Sequence, residues 1–408
     1  MLLVVQTLGG VFLGCSGWHY KDWVGPLYET ETESKLATYS RVFKTAEIDS
    51  TFYSYPSKDM VMGWLKYTKP DFIFTAKLPK QVTHKDKLDP KQGAEKNLEK
   101  FCDLMQPLLL QGKLGCLLAQ LPPSLKYDLQ LLESFFSILP RQFRFAVEFR
   151  HQSWLTNQTY KLMEKYNVAY TVVDEPKLPP ETHVTSDMAY IRWHGRGEHP
   201  WYYYLYSKEE LEAWVPKVKE ITKQAKTTYG YFNNHYHGYA VKNCLEFSEM
   251  LEIMTQEQKE AKKTVDKHFE ERKRASEEGM KKRAVALTAY MPTEIEKMDF
   301  AQLLDVFMDK GRIRRARGIS DKEVTIKESS DNHVSAKVRE YNIVFDLEKK
   351  AVFHDCADWN HCFPAKQFCK HIGKVLLMLP REKAIDVLRR IGVEREEWEF
   401  RPYDTTQA

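Results

Sequence analysis

Short apolar runs alternate with longer amphipathic stretches through the first 240 residues of the chain. Each run is long enough for a buried strand, ends in polar or aromatic residues, and precedes a stretch of helix or loop length. That alternation is typical of a parallel sheet with crossover connections, and eight repeats predict a closed (β/α)8 barrel. The eight runs are VFLGCSGW from Val11, KTAEIDSTFY from Lys44, FIFTAKLP from Phe72, GCLLAQLPP from Gly115, FRFAVEFRH from Phe143, VAYTVVDEP from Val168, AYIRWHGRG from Ala189 and TYGYFNNHYHG from Thr228.

Most of the stretches between these runs carry apolar residues at helical spacing, which predicts helices. The predicted helices span residues 34–43, 58–67, 93–110, 129–139, 155–166, 208–222 and 239–254. Residues 177–187 are proline-rich and predict a loop, and the lysine-rich residues 83–97 predict a loop that overhangs the barrel mouth.

The composition changes sharply after the last of these helices. Residues 255–283 are almost all charged, and acids alternate with bases, which favours a solvated helical linker over a nucleic-acid-binding arm. Beyond the linker, the pattern predicts short strands framed by helices. We therefore predict a barrel domain at residues 1–255, a charged helical linker at 256–290, and a small α+β zinc-binding domain at 291–408. In that last domain, strands are expected within 312–328, 333–339, 341–348 and 351–356, and helices at 300–310, 366–379 and 381–391.

Composition narrows the class of protein. A chain of 408 residues with 43% apolar residues is long enough for two folded domains, and a net charge of +4 is too small for a chain that binds nucleic acid along its whole length. Seven cysteines without a paired framework predict a reducing, cytoplasmic location. No basic segment precedes the apolar start, which we interpret as a leader into the first strand, and no apolar run is long enough to cross a bilayer, so we expect no membrane partner.

Cysteine and histidine residues are concentrated near the C-terminus. His354 and Cys356 are spaced as one ligand pair at the end of a predicted strand, and Cys369 and His371 as a second pair at the start of a helix. Thiolate and imidazole groups suit tetrahedral Zn²⁺, and four protein ligands close the site, so the metal is expected to be structural. Cys362 either replaces His354 as a ligand or is spare.

This segment resembles the SWIM-type zinc finger, whose pattern is Cys-x-Cys, a variable gap and Cys-x-His. The sequences VTIKE, AKVREYNIVFDL and CKHI also resemble that family across residues 312–379, although His354 stands where the family has cysteine. The resemblance implies that the domain binds DNA, RNA or a protein partner. The basic cluster RIRRAR, residues 312–317, either contacts phosphates or is a solvated surface.

The ends of the barrel strands carry the remaining candidate chemistry. Because alternate residues point inward, carboxylates there lie close to cations and must pair with them or shift in pKa, as general acids and bases do. The candidate catalytic residues are Glu47, Lys77, Glu148, Arg150, Asp174 and His194. The candidate ligand-binding residues are Trp18, Asp49, Tyr53, Gln120, His151, Arg192, Asn233, Asn234 and His235. Aromatic residues beside such groups suit flat ligands such as sugars or bases, and the alternative is that these residues only hold the strands together.

The strand-end motifs CSGWHYKDWVG, EIDSTFY, FTAKLP, LLAQLPPS, FAVEFRHQSW, VVDEP, YIRWHGR and YFNNHYHGYA resemble, in this order, the YecE-like family of barrel proteins over residues 11–251. The kinship of that family with xylose isomerase-like and endonuclease IV-like barrels implies metal chemistry on sugars or phosphodiesters, but the trinuclear ligand set of those nucleases is not evident. Two functions are therefore compatible with the sequence. One is a hydrolase directed to nucleic acid by the zinc finger, and the other is a non-catalytic adaptor or small-ligand-binding barrel whose finger docks a protein.

Overall fold

The computed structural model describes residues 10–197, 200–288, 290–356 and 358–403, with the side chains of all of these except 276–288, 360 and 361. The chain forms two compact units, Met1–Glu270 and Glu271–Ala408. Within the described residues, no helix is both long enough and apolar enough to cross a membrane.

The first unit is a closed barrel of parallel strands that follow one another in chain order. The last strand pairs with the first, so that Cys15 lies beside Phe232, and the predicted (β/α)8 barrel is confirmed. Its strands are β1 (Val11–Ser16), β2 (Thr45–Ile48), β3 (Ile73–Lys77), β4 (Leu114–Gln120), β5 (Phe145–Glu148), β6 (Ala169–Asp174), β7 (Met188–Trp193) and β8 (Thr227–Phe232).

Helices surround the barrel at the positions that helical spacing predicts. The helices that accompany the barrel are α1 (Lys35–Val42), α2 (Lys58–Lys66), α3 (Ala94–Leu110), α4 (Leu129–Ser137), α5 (Asn157–Tyr166), α6 (Lys208–Gln224) and α7 (Tyr239–Met250). They are followed by α8 (Gln256–Thr288), whose residues 256–270 belong to the first unit. The predicted loop at 83–97 is only partly a loop, because it holds a π-helical turn at Gln81–Lys85, a 3-10 turn at Pro90–Gln92 and the start of α3.

Alternation along each strand sorts side chains into two layers. Outward-facing residues pack under the helices, and inward-facing residues fill the barrel with tyrosines and small side chains. Tyr231 shares a hydrogen bond of 2.7 Å with Thr45, and Tyr190 shares one of 2.8 Å with Thr75. The barrel interior is therefore packed and cross-linked by hydroxyl groups below its mouth.

The charged segment after the barrel is helical, as predicted, but its first half is not simply solvated. Val265 is buried against the barrel core and Phe269 packs beside it. The Nζ atoms of Lys242 and Lys262 lie 3.2 Å and 2.6 Å from the carboxylate of Asp266. Apolar side chains at helical spacing and ion pairs to the barrel thus hold residues 256–270 in the first unit.

The second unit contains a five-stranded sheet in the order β13-β12-β11-β10-β9, with helices packed around its core. Its elements are α9 (Pro292–Ile295), α10 (Phe300–Phe307), α11 (Lys310–Arg317), β9 (Val324–Ser329), β10 (His333–Val338), β11 (Tyr341–Asp346), β12 (Ala351–His354), α12 (Trp359–Cys362), α13 (Lys370–Met378), α14 (Arg381–Val393) and β13 (Glu399–Pro402). Neighbouring strands are antiparallel except for β12 and β13, which are parallel. Strand β13 was not predicted from the sequence.

The prediction of a strand at residues 312–317 is wrong, because these residues form α11. The side chain of Asp309 caps the helix by accepting a hydrogen bond of 2.9 Å from the backbone N–H of Arg312. Ala316 is buried in the core of the unit and Ile313 packs against it, so helical rather than alternating spacing fits the apolar residues here.

Candidate functional site

The carboxyl ends of the barrel strands surround a cavity of about 350 Å³. This is the end at which (β/α)8 barrels place their binding and catalytic groups. Among the predicted site residues, those that line the cavity are Asp49, Tyr53, Lys77, Gln120, Arg150, His194, Asn233 and His235. The lining is completed by Tyr20, Phe52, Pro123, Glu175, Lys177, Trp201 and Tyr202.

Arg192 lies one inward-facing position deeper on β7 than His194 and joins two buried carboxylates. Its Nη2 atom donates to Glu47 Oε1 at 2.6 Å and its Nη1 atom to Glu148 Oε2 at 2.7 Å. Glu47 also accepts from Tyr190 at 2.7 Å. Burial would raise the pKa of Glu148, but Arg150 and Arg192 outweigh burial and hold that pKa well below its usual range.

Arg150 connects this buried network with the cavity. Its guanidinium group forms ion pairs with Glu148 and Glu175, and its Nη2 atom lies 3.0 Å from His194 Nε2. Burial raises the pKa of Glu175, and the negative charge of Glu148 adds to that effect while Arg150 opposes it. Glu175 is therefore the carboxyl group of the mouth that most readily holds a proton.

A second ion pair of the cavity lining joins Lys77 and Asp49. Lys77 Nζ lies 3.0 Å from Asp49 Oδ1 and 4.4 Å from the centre of the Phe52 ring. Burial would raise the pKa of Asp49, but the positive charges of Lys77 and Arg192 outweigh it and lower that pKa. Asp49 is consequently ionised at neutral pH.

The imidazole groups of the mouth are neutral. Burial, with the positive charge of Arg150, lowers the pKa of His194 to about 3. The Nδ1 atom of His194 lies 2.9 Å from the side-chain amide of Asn233. Burial also lowers the pKa of His235. Both rings can therefore donate and accept hydrogen bonds without carrying charge.

Aromatic rings form one side of the cavity. His235 stacks on Tyr20 with ring centres 4.4 Å apart and an interplanar angle of 7°, and Tyr202 stacks on His235 at 5.4 Å. Lys177 Nζ lies 5.3 Å from the centre of the Trp201 ring, and the Arg150 guanidinium lies 5.9 Å from it. These distances fall in the range of cation–π contacts.

The structure places several predicted site residues away from the cavity lining. Asp174 is buried and accepts hydrogen bonds from Arg196 and Trp214, which fixes α6 to the barrel. His151 caps the 3-10 turn Gln152–Trp154 through the Ser153 N–H. The remaining predicted residues outside the lining, which all pack or bond within the barrel or its loops, are Trp18, Glu47, Glu148, Arg192 and Asn234.

Glu175 and Lys177 were missed, although the sequence contains a signal for the first. Thr171 and Val173 point away from the outer hydrophobic layer that holds Tyr170 and Val172. If this alternation continues beyond Val173, the side chain of Asp174 faces outward and that of Glu175 faces into the barrel. Lys177 follows a turn beyond the strand, where strand alternation no longer predicts which way a side chain faces.

The second candidate site lies in the C-terminal unit. One donor atom from each of His354, Cys356, Cys369 and His371 lies within 4.8 Å of the others, and all four residues are buried. The two sulfur atoms are 3.7 Å apart. Tetrahedral coordination with Zn–S bonds of about 2.3 Å requires a sulfur separation of about 3.8 Å. The cluster therefore has the dimensions of a closed zinc site.

Neighbouring groups orient these ligands. His354 Nδ1 lies 2.6 Å from the carbonyl oxygen of Asn342, so its Nε2 atom is the nitrogen left for the cluster. The hydrogen bond that Cys356 shares with Cys369 lowers the pKa of Cys356, which favours a thiolate at that position. Cys362 is buried outside the cluster, and burial raises its pKa to about 12.

The profile of the family DUF72, described as a protein of unknown function, matches residues 12–267, which is more than half of the chain. The chain belongs to the DUF72 family. The resemblance to YecE-like barrels is confirmed over this region, and the match ends before the His/Cys cluster.

The names of two relatives of this chain state no activity. UPF0759 protein YunF of Bacillus subtilis strain 168 is 28% identical over 274 residues, which cover 60% of this chain and 95% of YunF. UPF0759 protein YecE of Escherichia coli strain K12 is 30% identical over 142 residues, which cover 35% of this chain and 48% of YecE.

Solved structures of DUF72 proteins have the same barrel. The protein from Thermotoga maritima MSB8 is 37% identical, with a TM-score of 0.54, over 60% of this chain and 99% of its own. The protein from Enterococcus faecalis V583 is 22% identical, with a TM-score of 0.54, over 60% of this chain and 97% of its own, and at that identity it shows the fold alone.

Proposed function

We propose that the DUF72 barrel binds a small ligand at its mouth and that the C-terminal unit is a SWIM-type zinc finger that recruits the barrel to nucleic acid in the cytoplasm. The observation that carries this proposal is the buried cluster of His354, Cys356, Cys369 and His371, whose sulfur atoms are 3.7 Å apart. Four protein ligands leave no open position, so the zinc would hold β12 and α13 together rather than act on a substrate.

Zinc analysis of the full-length chain tests the ligand set. We expect one zinc ion per chain, lost or strongly reduced in Cys369→Ser and His354→Ala. Cys362→Ser is the matched control, because Cys362 is an equally buried cysteine outside the cluster. Retention of zinc by His354→Ala together with its loss from Cys362→Ser would instead make Cys362 the fourth ligand.

The helix α11 supports a nucleic-acid partner over a protein partner. Arg314, Arg315 and Arg317 are exposed on it, and within the described residues none of them has an ion-pair partner. Three free guanidinium groups on one short helix suit the regularly spaced charges of a phosphodiester backbone. Because α11 packs on α13, which begins beside Cys369, zinc would fix the position of this basic surface.

Fluorescence anisotropy of full-length protein with labelled single-stranded RNA and duplex DNA, titrated with salt, tests recruitment. The triple variant of Arg314, Arg315 and Arg317 to alanine should bind more weakly, and its salt slope should fall by roughly one per arginine that contacts a phosphate. The matched control replaces exposed lysines of the same unit by alanine: Lys322, Lys327 and Lys337. Equal losses in both variants, or no binding by the wild type at low salt, would favour the alternative of a protein-docking finger.

The mouth favours ligand binding over nucleic-acid hydrolysis. Lys77 and Arg150 are each neutralised by carboxylates, so neither is a free cation for a phosphodiester. Among the residues that the structure describes, the cluster of potential metal ligands lies in the C-terminal unit. We infer that Glu47 and Glu148, which face Arg192, shape the mouth rather than transfer protons.

A further inference from the structure

The charged groups in and directly beneath the mouth balance one another. Asp49 pairs with Lys77, and Glu175 pairs with Arg150. The charges in this set are four acids, Glu47, Asp49, Glu148 and Glu175, and four bases, Lys77, Arg150, Lys177 and Arg192. A charged ligand that bonded to Asp49, Lys77, Glu175 or Arg150 would have to separate one of these pairs and leave a buried charge without compensation, which is costly. Lys177 is exposed and lies over the Trp201 ring, and within the described residues it has no carboxylate partner.

The polar groups of the lining that the protein itself leaves without a partner are mostly uncharged. Within the described part of the chain, the amide of Gln120, the imidazole of His235 and the hydroxyl of Tyr202 have no hydrogen-bond partner, and all three line the cavity. Each of them can exchange hydrogen bonds with a hydroxyl group, which both donates and accepts. Each ion pair of the lining offers the same combination, because its carboxylate accepts and its cation donates.

Aromatic ring faces also line the mouth. The stack of Tyr20, His235 and Tyr202 and the ring of Trp201 provide apolar surface beside these hydrogen-bonding groups. A cavity of about 350 Å³ is at the lower end of the range for small-molecule sites. The ligand must therefore be small, with an apolar face and a polar edge.

We infer that the mouth of this barrel takes an uncharged ring that bears several hydroxyl groups, the chemistry of a neutral sugar. This inference rests on the proposed ligand-binding function and names its ligand class. The hydroxyl edge would bond to Gln120, His235 and the pair of Asp49 and Lys77, while a face of the ring lies against the aromatic side of the cavity.

Saturation-transfer NMR with full-length protein tests the class directly. The probes are D-glucose, D-xylose and N-acetyl-D-glucosamine, with D-glucuronate and D-glucose 6-phosphate as charged counterparts and uridine as a heterocyclic one. We expect transfer to at least one neutral sugar and about tenfold weaker binding of its charged counterpart. Gln120→Ala should abolish the signal, and Gln158→Ala, an exposed glutamine on α5 outside the cavity, should leave it unchanged.

A charge variant separates the inference from simple binding. Asp49→Asn leaves Lys77 without its carboxylate, so the variant should lose affinity for the neutral sugar and gain about tenfold for glucuronate or the sugar phosphate. Preferential binding of charged probes or of uridine by the wild type would overturn the ligand class while leaving ligand binding intact. Absence of transfer from every probe would overturn the class and the proposed ligand-binding function together.

Discussion

Replacing Arg192 by methionine removes the cation that lies between two buried carboxylates. Arg192 is 1% exposed, and its two Nη atoms donate to Glu47 and Glu148 at 2.6 Å and 2.7 Å. Removing one partner of a buried ion pair typically lowers the free energy of unfolding by about 3–5 kcal/mol, because the other charge stays buried without compensation. Glu148 retains Arg150, whereas Glu47 retains only hydroxyl donors among the described residues, so we expect about 3–4 kcal/mol here.

Denaturant unfolding followed by tryptophan fluorescence measures this loss in the full-length protein. The surface variant Arg141→Met is the control and should change the unfolding free energy by less than about 0.5 kcal/mol. Adding Glu47→Gln to Arg192→Met should recover part of the loss, because the uncompensated charge is then gone. A loss below about 1 kcal/mol for Arg192→Met, or no recovery in the double variant, would refute the assignment of this network as the electrostatic support of the mouth.

Further predictions concern single groups of the barrel. The pKa of His194 is lowered to about 3, so its ring resonances should stay constant from about pH 5 to 8 in NMR spectra. In the unfolded chain the same ring takes up a proton below about pH 6.5, so His194 should make the folded protein lose stability as the pH falls. His194→Gln should reduce that loss of stability. Gly14→Ala places a Cβ atom 2.2 Å from the Thr45 carbonyl oxygen and should lower the unfolding free energy by about 1–3 kcal/mol, whereas Gly63→Ala, in the open on α2, should raise it by up to about 1 kcal/mol. Ser207→Ala removes the capping box of α6 and should cost about 1 kcal/mol in thermal unfolding, while Ser207→Thr should cost less.

The strand pattern predicts the barrel because the period of two and the spacing of crossovers are local properties of the sequence. It also predicts which strand ends meet, and that places Asp49, Lys77, Arg150 and His194 around one cavity. The depth of each residue is not local, because it depends on how neighbouring strands are staggered in the closed sheet. Arg192 therefore seemed equivalent to His194 in the sequence, although it lies a full layer deeper.

The other differences between the sequence-based predictions and the structure also have physical reasons. The charged composition of residues 256–270 conceals Val265 and Phe269, whose four-residue spacing places them on one face of α8. In the arginine-rich segment of α11, only Ile313 and Ala316 carry the helical spacing of apolar residues, and the Asp309 cap marks where the helix begins. The His/Cys cluster was predictable because its residue pairs are close in sequence, whereas the exclusion of Cys362 depends on the path of the chain between them.

X-ray absorption at the zinc edge of the full-length protein tests the central claim most directly. We predict one zinc ion per chain coordinated by two sulfur atoms at about 2.3 Å and two nitrogen atoms at about 2.0–2.1 Å, with an unchanged spectrum in Cys362→Ser. A shell of three sulfur atoms, a shell dominated by oxygen, or a chain that holds no zinc would contradict it.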